Sequence, residues 1–118
     1  MAGSVLIVDD DPAFRRLARR LLAECGLQVV GEAADAADAL RVARLARPDG
    51  VLVDLGLPDR DGRDLAVDLV ALDWRPRVLL TSADADVLER APAALPFVPK
   101  DLLPSAPLVA LLGSASAP

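Results

Sequence analysis

Strand-like and helix-like segments alternate along the 118 residues, which predicts an α/β fold: a doubly wound parallel sheet with helices on both faces. Two further observations point the same way. The runs SVLIV (4–8), GVLVD (50–54) and RVLLTS (77–82) are apolar almost throughout, as in strands buried on both faces. Their polar residues fall at the carboxyl ends, where open α/β sheets collect their chemistry.

The first strand, 4–8, runs into Asp9, Asp10 and Asp11. Asp11 is suited to cap a helix with Pro12 at its first position. In that helix Phe14, Leu17, Ala18, Leu21, Leu22 and Cys25 recur at helical spacing and form the expected buried stripe, while Arg15, Arg16, Arg19 and Arg20 take the opposite face. Gly26 ends it. LQVVG (27–31) reads as the second strand, and the Ala-rich run 35–46 as a second helix stopped by Pro48. The third strand, 50–54, stays apolar until Asp54. The loop LGLPDRDG then leads to a helix through Leu65, Ala66, Leu69, Val70 and Leu72, with Asp59 and Asp61 as turn residues and Gly62 as a conformationally permissive one. Trp74 is read as packing or surface.

The fourth strand, 77–82, ends in Thr81 and Ser82. Residues 84–91 predict a short fourth helix cut by Pro92, and 96–100 a short fifth strand ending at Lys100. Pro104 and Pro107 cannot both lie in one long helix. A last helix of about two turns is therefore expected near Ser105, using Leu108, Leu111 and Leu112 and ending at Gly113. The domain spans 1–113, with 114–118 (SASAP) a tail or the start of a linker.

Composition narrows the function. Hydrophobic residues make up 53% and charged ones 26%, which argues for a folded core rather than disorder. The net charge of −5 leaves no basic stripe to neutralise phosphates, so direct nucleic-acid binding is not expected. One cysteine excludes a disulfide framework, and the lack of histidine excludes histidine metal sites and bases. Neither a signal peptide nor a membrane-length apolar run is visible, so a soluble cytoplasmic protein is expected. The chain uses arginine twelve times and lysine once, which singles out Lys100.

The stretch VLIVDDDPAFRR poses the central chemical question. Two carboxylates about 4 Å apart repel by roughly 4 kcal/mol at an effective dielectric near 20. If the first and third strands are neighbours, Asp9, Asp10 and Asp54 meet in one pocket with the Thr81 hydroxyl and the Lys100 ammonium. A hard divalent cation would offset their charge, and Mg²⁺ prefers one or two carboxylates plus water and phosphate oxygens. The set reads as phosphoryl transfer to a carboxylate, with Asp54 the candidate nucleophile forming an acyl phosphate. Lys100 would offset the charge of the transferring group and Thr81 would hydrogen-bond a phosphate oxygen.

In the order and spacing of LIVDDDP, VLVDLGLPDRDG, LLTSA and FVPK, nearly the whole chain resembles the receiver domain of bacterial two-component response regulators. The resemblance implies a flavodoxin-like sheet of five strands in the order 2-1-3-4-5, here with short fourth and fifth helices. It implies Asp54 as phosphoacceptor, Asp10 as a direct Mg²⁺ ligand, Asp9 as a ligand largely through water, and the backbone carbonyl of Gly56 as a further metal contact. Thr81 and Phe97 match the family's switch pair, and Lys100 its phosphate-binding lysine. The phosphoryl donor would be a sensor histidine kinase, a histidine phosphotransfer protein or a small phosphodonor. The domain is then no enzyme acting on a separate substrate, although it would catalyse its own phosphorylation and dephosphorylation. A downstream protein target and a phosphorylation-dependent homodimer complete the expected partners.

Some positions depart from the pattern. The stretch from Thr81 to Lys100 is short and interrupted by Pro92 and Pro96, and Asp101 stands where many members carry a cis-proline. These changes alter the face that members use to dimerise or signal. Two competing readings follow. One is a receiver-like binding module that works without phosphorylation. The other takes Asp9 as nucleophile and Asp11 as general acid of a haloacid-dehalogenase-like phosphatase, a family that needs a further acidic pair after the lysine; only Asp101 is present.

Overall fold

The computed structural model describes residues 3–83 and 95–113. Its centre is a parallel sheet of β1 (Ser4–Val8), β2 (Gln28–Ala33), β3 (Gly50–Asp54) and β4 (Arg77–Thr81) in the order β2-β1-β3-β4. The strands alternate with α1 (Pro12–Glu24), α2 (Ala36–Ala46) and α3 (Gly62–Val70); a 3-10 helix (Lys100–Ser105) and α4 (Leu108–Leu112) follow. This is the flavodoxin-like arrangement, with a topological switch point between β1 and β3.

The strands bury both faces. Leu6, Val8, Val51, Val53, Val78 and Leu80 pack under α2 and α3. Val5, Ile7, Leu52 and Leu79 pack under α1, Leu103 and α4. Period-two alternation thus serves two cores at once, which is why the strands look continuously apolar.

In α1, Asp11 caps the first turn by accepting from the Ala13 N–H at 2.9 Å. Phe14, Ala18 and Leu22 form its buried line. Two residues assigned to that line from the sequence lie outside it: Leu17 is 45% exposed and Cys25 is exposed. Four-residue spacing keeps 14, 18 and 22 facing the sheet and leaves Leu17 on the flank, while Cys25 already belongs to the cap. Beyond it Gly26 takes φ 84, and the Gly26 and Leu27 N–H groups return to the carbonyls of Ala23 and Leu22. That paired closure needs a left-handed residue at Gly26.

β2 continues two residues past the predicted end, through Glu32 and Ala33. Glu32 is tolerated there because it faces the Arg15 and Arg19 guanidinium groups at 3.0 and 2.7 Å. The fifth strand, expected over 96–100, is reduced to one bridge between Leu80 and Phe97. The Leu80 N–H donates to the Pro96 carbonyl and the Val98 N–H to the Leu80 carbonyl, both at 3.0 Å. Pro96 carries no N–H, so the ladder cannot extend toward its start. At the other end the Lys100 N–H still donates to the Ser82 carbonyl at 3.1 Å, but there Pro99 already caps a 3-10 helix. Lys100 consequently opens the 3-10 helix rather than closing a strand, and the Lys100–Asp101 peptide is trans. The predicted last helix begins later and is shorter than expected, a five-residue turn from Leu108 ended at Gly113. The predicted helix over 84–91 and the tail 114–118 lie outside the described residues.

Trp74 packs half-buried against the core and donates its indole N–H to the Pro48 carbonyl at 2.8 Å. Among the described residues no helix is long and apolar enough to cross a membrane.

Candidate functional site

The carboxyl ends of β1, β3 and β4 meet at the switch point. Val8 pairs with Val53 and Asp54 with Thr81, so the residues that leave these strands emerge side by side. Carboxylate oxygens of Asp9, Asp10 and Asp54 lie within 4.8 Å of one another, with Asp9 and Asp54 buried and Asp10 exposed. At that separation each pair of anions repels by about 3.5 kcal/mol at an effective dielectric of 20.

Each carboxylate is held by its own local chemistry. The Asp9 backbone is tied on both sides: its N–H donates to the Ala33 carbonyl at 3.0 Å, and its carbonyl accepts from Arg15 Nη1 at 2.6 Å. Asp9 Oδ1 accepts from the Asp11 N–H at 2.9 Å. Asp9 Oδ2 is buried and makes no hydrogen bond; it faces Lys100 Nζ at 2.7 Å, an ionic contact without hydrogen-bond alignment. The same ammonium stands 3.8 Å from Asp54 Oδ1.

Asp54 closes β3, and its carboxylate accepts from the Gly56 backbone N–H. Burial, followed by the Asp9 anion, pushes its pKa up to about 6, against the pull of Lys100 and the Gly56 N–H. The loop after it is fastened at two points. Asp59, expected to be a turn residue only, reaches across to accept from the Ala36 and Ala37 N–H groups at 2.8 and 3.1 Å, an extra cap on α2. These donors hold the Asp59 carboxyl below the usual carboxylate range. Asp61 caps α3 through the Arg63 N–H at 2.9 Å. Gly62 is needed for space rather than for an unusual φ. A Cβ there would collide with the Asp54 carbonyl oxygen and lie 2.7 Å from Leu55 Cα.

Thr81 is fully buried, and its hydroxyl donates to the Val98 carbonyl at 2.7 Å. Ser82 is also buried; its carbonyl accepts the Lys100 N–H at 3.1 Å and so fixes where the lysine stem starts. Phe97 is half-buried, packed on the core under α2 and α3. The structure therefore brings together Asp9, Asp10, Asp54 and Lys100, with Gly56 meeting Asp54 through its N–H. Thr81 is buried and paired with Asp54 across β3 and β4, with its hydroxyl bonded to Val98, and Phe97 packs against the core. Two neighbours of the site escape a reading of the sequence alone: Arg15, which grips the Asp9 carbonyl, and Phe14, whose ring lies 4.2 Å from Lys100 Nζ. Both look like ordinary members of an amphipathic helix: the Arg15 contact depends on how the turn before α1 folds back, and the Phe14 contact on a partner far along the chain.

The donor set suits a hard divalent cation: three carboxylates converge, and one buried carboxylate oxygen lacks a hydrogen bond. The Lys100 ammonium also suits an anionic group arriving beside Asp54.

Comparison with known proteins gives a consistent result. Residues 5–101 match the model of the response regulator receiver domain. The transcriptional regulatory protein PdtaR of Mycobacterium tuberculosis is 37% identical over 109 residues, covering 86% of this chain and 53% of that protein. A putative transcriptional regulator of Pseudomonas aeruginosa is 43% identical over 78 residues, 66% of this chain and 38% of that protein. The chain thus spans about half the length, or less, of these curated relatives. Among solved structures, a LuxR-family two-component response regulator from Aurantimonas superposes with a TM-score of 0.76 at 31% identity, covering 97% of this chain and 89% of that one. The signal receiver domain of the putative response regulator NarL from Mycobacterium tuberculosis gives 0.73 at 35% identity, with 84% of each chain covered.

Proposed function

The chain belongs to the response regulator receiver family of two-component signal transduction, and we propose that within it the protein is a phosphoacceptor using Asp54. One observation carries this reading: Asp54 shares a pocket with Asp9 and Asp10, their oxygens within 4.8 Å, and the only lysine of the chain points between Asp9 and Asp54. Membership of this family also removes the dehalogenase-like alternative, whose nucleophile would have been Asp9.

In the proposed reaction a carboxylate oxygen of Asp54 attacks phosphorus while the bond to the donor breaks. For a phosphohistidine donor that is the P–N bond, whose electron pair returns to the imidazole nitrogen. With a pKa of about 6, Asp54 is ionised by roughly ten to one at pH 7, so it needs no base to become nucleophilic. Asp9, Asp10 and Asp54 would hold Mg²⁺, with the Gly56 carbonyl as a further ligand. When bound, the cation supplies neutralisation of the carboxylates and of the phosphoryl oxygens. Lys100 stabilises negative charge on the arriving group, and Thr81 gives a hydrogen bond to it once its hydroxyl leaves Val98. Phe97 follows Thr81 as the switch residue and carries the change to the surface. Loss of the group would occur by attack of water on the acyl phosphate, catalysed by the same site.

The donor would be a sensor histidine kinase or a histidine phosphotransfer protein, and the switched surface would meet a downstream protein or a second copy of the chain. The test is intact mass after incubation with acetyl phosphate, with and without Mg²⁺. Gain of one phosphoryl group by the wild type, only with Mg²⁺, and none by Asp54→Asn is expected. No gain from either acetyl phosphate or a phosphorylated kinase, with the fold intact, would shift the reading to a binding module that works without phosphorylation.

A further inference from the structure

Lys100 must keep a flexible four-carbon stem pointed into the site, and its contacts with the carboxylates do not explain how. Its partner Asp9 Oδ2 accepts no aligned hydrogen bond, and Asp54 Oδ1 is 3.8 Å away. Both carboxylates are also the groups that a divalent cation or a phosphoryl group would claim. A third contact is independent of them: the ammonium lies 4.2 Å from the centroid of the Phe14 ring. Phe14 is itself buried in the α1 core with Ala18 and Leu22, so the ring cannot follow the lysine. The lysine side chain is only 18% exposed, which places this cation–π contact in the partly desolvated range where it is strongest.

We propose that Phe14 is a positioning residue for Lys100: its ring face is a fixed platform that keeps the ammonium beside Asp54 when the carboxylates take other partners. The inference rests on the phosphoacceptor reading for its consequence, but the contact itself can be measured without phosphorylation. The geometry divides the work. The Lys100 N–H bonded to Ser82 fixes where the stem begins, and the Phe14 ring fixes where it ends. α1 thus serves the site from its buried face as well as through its Asp11 cap.

The single lysine makes the test direct, because its ε-methylene signal needs no assignment among other lysines. In the folded wild type these protons are expected to be shifted upfield by the ring, and the shift should vanish in Phe14→Leu and persist in Phe14→Trp. Phosphorylation by acetyl phosphate should slow threefold to tenfold in Phe14→Leu, about 0.7–1.4 kcal/mol at 1.4 kcal/mol per decade, and recover in Phe14→Trp. Because Leu changes packing too, a series of fluorinated phenylalanines at position 14 separates the effects: the rate should fall stepwise as fluorine weakens the ring face at nearly constant shape. An ordinary lysine shift in the wild type would overturn the contact whatever the phosphorylation assay gives. A rate indifferent to the fluorine series would overturn the positioning role. Absence of any phosphorylation with the ring shift intact would refute the phosphoacceptor reading and the catalytic consequence, leaving the contact standing.

Discussion

Replacing Asp54 by asparagine is expected to stabilise the protein, and by an amount that grows with pH. The carboxyl is raised from 3.8 to about 6 by burial and by the Asp9 anion, so the folded state holds the charged form at a cost. That rise corresponds to about 3 kcal/mol once the pH is well above 6. The sign follows from proton counts. Between about pH 4 and 6 the native state binds a proton that the unfolded state has released, so stability rises as pH falls through that window. At pH 8 the full cost of about 3 kcal/mol is present; at pH 5 about half of it remains. Urea unfolding of wild type and Asp54→Asn at both pH values, without divalent cations, isolates the effect because the other carboxylates are common to both proteins. The variant should be more stable at both, with a gap near 3 kcal/mol at pH 8 that narrows by roughly 1.5 kcal/mol at pH 5. A variant less stable than wild type at pH 8, or a gap independent of pH, would refute the claim that Asp54 is a strained charge. Adding Mg²⁺ should narrow the gap at pH 8, since a ligand of the native acidic cluster stabilises the wild type preferentially.

Two other perturbations test how the site is held. Gly62→Ala should cost roughly 1–3 kcal/mol in chemical denaturation, because its Cβ meets the backbone of Asp54 and Leu55, which cannot rotate away; unchanged stability would show that the β3–α3 junction has slack. Glu32 is held below its ordinary pKa chiefly by the Arg19 guanidinium, so its contribution is present above about pH 4.5 and is lost as pH falls through the folded pKa. Glu32→Gln should therefore cost up to about 1 kcal/mol at neutral pH, a value typical of exposed pairs, and nothing in acid or high salt. An equal cost under all these conditions would mean that packing, not charge, is what Glu32 supplies.

The elements that could be read from the sequence were those whose signal is local. β1 and β3 announce themselves as apolar runs closed by aspartate, and α1 by Asp11, Pro12 and the spacing of Phe14, Ala18 and Leu22. The acidic cluster followed from strand-end positions alone, once neighbouring strands brought Asp9 and Asp10 to Asp54. What stayed hidden depends on long-range pairing. The second strand reads as ending at Gly31, short of Glu32, because the two arginine partners that let Glu32 stay in β2 sit on another element. Asp59 looked like a turn residue because the α2 N–H groups it caps are more than twenty residues earlier. Leu17 and Cys25 share the helical spacing of the buried stripe but not its facing, which only the packing of α1 on the sheet decides. The fifth strand keeps its expected place beside β4 but is short, for a reason visible in the sequence, the missing N–H of Pro96; the placement of Lys100 on a 3-10 helix is not visible there.

The central claim, that Asp54 accepts the phosphoryl group, is tested most directly by locating the bond. The protein is incubated with acetyl phosphate and Mg²⁺, reduced with borohydride so that an acyl phosphate becomes an alcohol, digested, and mapped by mass spectrometry. Conversion of residue 54 from aspartate to homoserine, dependent on both reagents, is the predicted result. Conversion at Asp9 or Asp10 instead, or no conversion in a folded protein that also fails with a phosphorylated kinase, would contradict it.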